Sequence, residues 1–233
     1  MIYPTNLHKV LLRKMSQDYP LTVMLARIEE TIRPFPKAAM FELAERGYDS
    51  LFEQLISCII SIRTLDETTI PVSLRLFAEA RTPKEFIRLG RDAIATLLDG
   101  SAYPGQKADT MLAVADVAVE NGGKLPADYE VLIAIKGVGP KCANLSLGVS
   151  AGVPAISVDI HVHRVVNRWG MVETKTPEAT LKVLQGTVPQ PQWIDINRLL
   201  MPFGKYICTG ALPHCSTCPV YEWCERRGVT RHR

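Results

Sequence analysis

Four of the chain's six cysteines fall between positions 208 and 224, spaced C-x6-C-x2-C-x5-C. Four thiols this close in sequence must converge on something. No stretch of the 233 residues approaches the roughly 20 apolar residues of a membrane span. The N-terminus, MIYPTNLHKVLLRK, lacks the basic, apolar, small-residue order of a signal peptide. The chain therefore reads as soluble and cytoplasmic, a setting in which disulfides are disfavoured. A metal centre on Cys208, Cys215, Cys218 and Cys224 is the remaining reading. Zinc takes four thiolates tetrahedrally, but zinc ribbons usually pair two C-x2-C knuckles and this run has one. A cubane iron–sulfur cluster uses one thiolate per iron and suits a single compact run. Spacing favours iron–sulfur and leaves zinc open. Cys58 and Cys142 sit in apolar helical patterns and read as inert core thiols.

The rest of the chain predicts helices. Leu51–Ile62 is apolar nearly all round, as in a buried central helix. Thr64-Leu65-Asp66-Glu67 fits a capping box that opens the next helix, to about Ala80. Thr82-Pro83-Lys84-Glu85 repeats that signal, and Thr176-Pro177-Glu178 starts a further helix. Gln106–Asn121 is amphipathic and stops at Gly122-Gly123. Pro154–Val158 is the one short extended candidate. The fold class is all-α. Hydrophobic residues make up 47% of the chain and charged residues 22%, which excludes a disordered chain. The net charge of +3 says little by itself. Positive charge gathers over 131–170 (Lys136, Lys141, Arg164, Arg168) and in the tail ERRGVTRHR, a distribution that suits contact with phosphate. The plainer reading of the tail is a solvated terminus.

Residues 131–150 read VLIAIKGVGPKCANLSLGVS. An apolar helix runs into Gly137-Val138-Gly139, and a second begins at Pro140. The two glycines permit close backbone approach, and the second helix presents its N-terminal end, a ready site for phosphate. Such a contact is independent of base sequence. Lys141 lies in the first turn, where a cation is misplaced. The dipole, burial beside Leu145 and Leu147, and nearby Lys136 all favour its neutral amine, which is a nucleophile able to form a Schiff base. A surface lysine touching phosphate is the plainer reading. Asp159 is an evident N-cap for Ile160–Trp169, and a carboxylate so fixed could also stabilise a cationic sugar.

Taken together, GVGPKCAN (137–144), SVDIHVHRVVNR (157–168) and the run Cys208…Cys224 resemble the endonuclease III family of helix-hairpin-helix DNA glycosylases. The resemblance spans about residues 21–227. It implies a six-helix domain with the hairpin (43–153) and an iron–sulfur domain (21–42 and 154–233) flanking a DNA-binding cleft, preceded by an N-terminal extension (1–20). It implies a [4Fe–4S] cluster on the four cysteines, Lys141 as the Schiff-base lysine and Asp159 as the catalytic aspartate. A damaged nucleotide would be flipped from the duplex, Lys141 would attack C1′, and β-elimination would nick the strand. The partner would be double-stranded DNA with damaged bases or abasic sites, met by a monomer, nucleoid-associated if bacterial. The family holds DNA with its hairpin, here Gly137, Val138 and Gly139, and fills the vacated gap with wedge residues. Arg63 stands where a Gln is usual, and Tyr103, followed by Gln106 and Lys107, where an aliphatic wedge is usual. Lys136 and Pro140 also depart from the common hairpin. These departures predict a lesion range different from the usual oxidised pyrimidines. Other readings are an enzyme restricted to abasic-site lyase or mismatch glycosylase activity, and a non-catalytic iron–sulfur protein that binds DNA damage.

Overall fold

The computed structural model describes residues 20–233; the extension expected at 1–20 lies outside them except for Pro20. Every regular element among the described residues is helical, and 154–158 runs without regular structure. No described helix is long and apolar enough to cross a membrane. The chain forms two compact units, residues 37–155 and a second made from the segments before 37 and after 155.

Helix α1 (Leu21–Ile32) belongs to the second unit. The middle unit carries α2 (Ala39–Glu45), α3 (Leu51–Ser61), α4 (Asp66–Glu79), α5 (Pro83–Leu89), α6 (Arg91–Leu97), α7 (Pro104–Glu120), α8 (Tyr129–Ala134) and α9 (Pro140–Ala151). These are eight helices where six were expected. One of the two extra pieces comes from Gly90, at φ +78°, which breaks α5 from α6, and the other is α2, which starts ahead of the expected bound at 43. Ala39, Met40 and Leu43 are part of this unit's core, so the division falls at 37 rather than 43.

The middle unit is built around α3. Residues 52–60 of that helix are all buried, and Ser50 and Glu53 form a reciprocal capping box at its start. The box is worth about 1 kcal/mol. Full burial of Leu55, Ile56, Ile59 and Ile60 contributes about 1.5–3 kcal/mol each, so packing decides where α3 lies. Helix α9 packs against it, and there the structure corrects the expectation of inert core thiols. Cys58 and Cys142 are joined as a disulfide with Cα atoms 5.5 Å apart, a span that a disulfide bridges. Sequence could not show this pairing, because it depends on how two helices far apart in the chain pack.

The expected capping box at Thr64 is absent. Helix α4 starts without a side-chain cap, after Leu65, because the Thr64 hydroxyl is engaged elsewhere. The box at Thr82 is present, with Pro83 as the first helical residue.

In the second unit α1 is joined by α10 (Ile160–Trp169), α11 (Pro177–Thr187) and α12 (Trp193–Tyr206), followed by single 3-10 turns at Cys215–Thr217 and Tyr221–Trp223. Helix α12 packs on both α1 and α10. Its Gly204 is required by close approach, since a Cβ there would lie 2.8 Å from the His161 Cβ. Met24, Ile28, Val162, Trp169, Leu200 and Phe203 fill this core.

Candidate functional site

Asp128 caps α8, with Oδ1 accepting the amides of Glu130 at 2.8 Å and Val131 at 3.2 Å. The chain then turns through Gly137-Val138-Gly139 into α9, giving the helix-hairpin-helix expected from the sequence. Gly137 has φ +93°, and a Cβ on it would run into the Thr110 side chain of α7. Both facts demand glycine. Gly137→Ala should cost about 1–2 kcal/mol from the backbone alone, plus the clash. Urea denaturation should show Thr110→Ala restoring only the part due to the clash.

Val138 does not fit the role of DNA contact. Its amide is donated to the Ile135 carbonyl at 3.0 Å and its side chain is buried. Helix α9 starts with Gly139 as N-cap and no side-chain cap, and its positive dipole end lies at the turn.

Lys141, in the first turn of α9, is half-buried. Its Nζ donates to Ser61 Oγ at 3.1 Å, and Ser61 Oγ in turn donates to the Cys58 carbonyl at 2.7 Å. The amine is thus held at the C-terminal end of α3. Ser61 was not singled out from the sequence, where it is one polar residue near the end of the apolar run Leu51–Ile62. In the second unit Asp159 caps α10 as expected: Oδ1 accepts the amides of His161 at 2.9 Å and Val162 at 2.8 Å. Its carboxylate is fixed at the helix's positive end.

Arg63 and Tyr103 come from separate loops of the middle unit and meet. Arg63 Nη1 donates to Tyr103 Oη at 3.1 Å, and the guanidinium lies 5.6 Å from the ring centroid. Both are non-glycine residues in the left-handed region, at φ +53° and +56°, which costs about 1–2 kcal/mol each. Gln106 is exposed in the first turn of α7. Lys107 is not. Only 5% of it is accessible, and Nζ donates to the Ile60 carbonyl at 2.6 Å and to Thr64 Oγ1 at 2.9 Å. It is no surface phosphate contact, and burial lowers its pKa to about 8.

Cys208, Cys215, Cys218 and Cys224 are not disulfide-bonded. They border one cavity, shared with Arg168, Trp169 and Phe203. Among the described residues no three His, Cys, Asp or Glu side chains form a group that would hold a single metal ion. Burial pushes the Cys218 thiol up to about 12 and raises those of Cys215 and Cys224, with the neighbouring cysteines adding to each shift. Thiolates there need a cationic partner.

Two of the four cationic residues expected near phosphate, Arg164 and Arg168, are engaged with the end of α12 and this segment. Arg164 donates to the carbonyls of Cys208 at 3.2 Å and Gly204 at 2.7 Å. Arg168 donates to the carbonyls of Thr209 at 2.6 Å and Gly210 at 2.7 Å, and reaches Cys208 Sγ at 3.4 Å. The tail is mostly exposed, and its backbone is tied along the same segment. The Arg227 amide donates to the Arg168 carbonyl at 3.0 Å, the Ser216 amide to the Arg233 carbonyl at 2.9 Å, and the Arg233 amide to the Pro213 carbonyl at 2.9 Å.

A family model described as HhH-GPD superfamily base excision DNA repair protein matches residues 56–190, a stretch that holds Lys141 and Asp159 but ends before the four cysteines. The chain is 39% identical to Endonuclease III of Thermotoga maritima over 181 residues, 76% of this chain and 85% of that protein. It is 30% identical to Endonuclease III of Escherichia coli K12 over 182 residues, 78% and 86% of the two chains. The solved structure of a trapped Endonuclease III–DNA covalent intermediate, an estranged-adenine complex, superposes with a TM-score of 0.78 at 26% identity, covering 88% of this chain and 94% of that one.

Proposed function

Because the chain belongs to the HhH-GPD superfamily of base excision DNA repair proteins, we propose that it is a DNA glycosylase and abasic-site lyase in which Lys141 supplies the nucleophilic amine and Asp159 the assisting carboxylate. Its partner is duplex DNA carrying damaged bases or abasic sites, met in the cytoplasm. The observation that carries the assignment is the placement of Lys141. It opens the helix that follows the glycine hairpin, lies inside the matched stretch, and has its amine held by Ser61.

The Lys141 nitrogen forms a bond to C1′ as the bond from C1′ to the base breaks, and the base departs with that electron pair and takes up a proton. Opening of the sugar ring gives the imine. Loss of a C2′ proton then expels the 3′ phosphate by β-elimination and nicks the strand. The Asp159 carboxylate favours the first step by taking the ammonium proton, by stabilising positive charge on the sugar, or by both. Gly137 and Gly139 offer a turn with no Cβ, against which the DNA backbone can lie.

Cys208, Cys215, Cys218 and Cys224 would hold a [4Fe–4S] cluster. The reading is supported by four cysteines, none of them disulfide-bonded, that border one cavity and come from a single run with one C-x2-C knuckle. When bound, the cluster supplies iron–thiolate bonds that fix a segment with little core of its own.

Asp159→Asn tests the carboxylate. Asn caps a helix about as well as Asp, so stability should change by no more than about 0.5 kcal/mol. Single-turnover base release should fall about 10²-fold or more. A loss that tracks unfolding, measured by circular dichroism on the same samples, would reduce Asp159 to its cap.

A further inference from the structure

Thr64 and Lys107 have no part in the chemistry above, yet they lie directly under the two loops that do not match the family's usual wedges. The Thr64 hydroxyl donates to the Ile62 carbonyl at 3.3 Å and accepts from the Ala102 amide at 3.2 Å and from Lys107 Nζ at 2.9 Å. One donor and two acceptor sites are thereby all used. Lys107 adds its bond to the Ile60 carbonyl, at the C-terminal end of α3, where a cation is favoured. The two residues thus tie the last turn of α3, the loop after it and the loop before α7 to a single point.

We propose that Lys107, acting through the Thr64 hydroxyl, is a positioning residue that locks Arg63 and Tyr103 into one rigid finger, which enters the gap left when a nucleotide leaves the duplex stack. The proposal rests on the DNA-acting reading above and deepens it.

Three observations carry it. First, Arg63 and Tyr103 both hold left-handed backbones, which persist only where the surroundings impose them. Their mutual hydrogen bond is exposed and too weak for that task. The bonds beneath are charge-assisted, and the lysine that makes them is buried. Second, burying an ammonium is costly, and no carboxylate among the described residues pairs with Lys107. A Met of similar length would fill the same space, so packing does not call for lysine. Third, the tips of the two loops expose apolar surface: Leu65 is 71% accessible, Tyr103 52% and Ile62 37%. Exposed apolar tips on a braced support suit insertion between bases.

The test is single-turnover cleavage of an abasic site placed in duplex and in single-stranded DNA, with 2-aminopurine beside the site to report unstacking. A single strand has no stacked partner to leave a gap. Lys107→Met should lower the duplex-to-single-strand rate ratio about tenfold and weaken the 2-aminopurine signal. Thr64→Val, which removes the hydroxyl and keeps the volume, should do the same and carries the test should Lys107→Met fail to fold. With Arg63 and Tyr103 both changed to Ala, Lys107→Met should lower the ratio no further. An unchanged ratio, or an equal fall in the truncated background, would overturn the latch and leave the DNA-acting reading standing. A wild-type protein that cleaves neither DNA would overturn both.

Discussion

Borohydride reduction of the protein with abasic-site DNA should give a covalent adduct, and Lys141→Ala should give none. Borohydride reduces an imine to a stable amine, so the adduct forms only if a primary amine of the protein has bonded to C1′. Strand cleavage should fall about 10³-fold or more when that amine is removed. The fold should survive, because the side chain is only half-buried and a hydrogen bond such as that to Ser61 is worth about 1 kcal/mol. Lys141→Arg separates charge from reactivity. It keeps a cation near the hairpin, but a guanidinium does not deprotonate in proteins, so DNA binding should persist while trapping is lost. An undiminished adduct in Lys141→Ala would move the nucleophile to another residue.

The purified protein should be brown, with broad visible absorbance and bound iron, and Cys218→Ser should bleach it. Cys218 has the thiol that burial pushes furthest, up to about 12, and only bonding to a metal offsets the burial of its thiolate. The effect on the second unit should be large. Metal binding contributes about 10 kcal/mol or more to small domains built around such centres, and the segment after α12 has only 3-10 turns as regular structure. Thermal melts should show the second unit loosening while residues 37–155, whose core contains none of the four cysteines, keep their transition. A colourless protein replete with zinc would refute the cluster.

The helical fold was legible because its signals are local. The apolar run of α3, the caps at Thr82, Thr176 and Asp159, and the glycines of the hairpin act within a few residues of themselves. The four cysteines were legible for the same reason. What stayed hidden depends on partners distant in the chain. Thr64 carries the pattern of a capping residue, but Ala102 and Lys107 claim its hydroxyl. Val138 reads as part of an exposed turn, yet its side chain enters the core. Arg164 and Arg168 read as free positive charge, yet they grip the carbonyls of Cys208 and Thr209, beyond α12. Cys58 and Cys142 read as packing atoms until α3 and α9 are set side by side.

The second unit draws its first helix from before residue 37 and the remainder from after 155. A ribosome therefore releases α1 long before α12, its main neighbour, exists. Residues 37–155 can close on themselves as they emerge, whereas Met24, Leu25 and Ile28 must wait, with their greasy side uncovered, until residues 193–206 have been made. The earliest described helix to be synthesised is among the last to be seated.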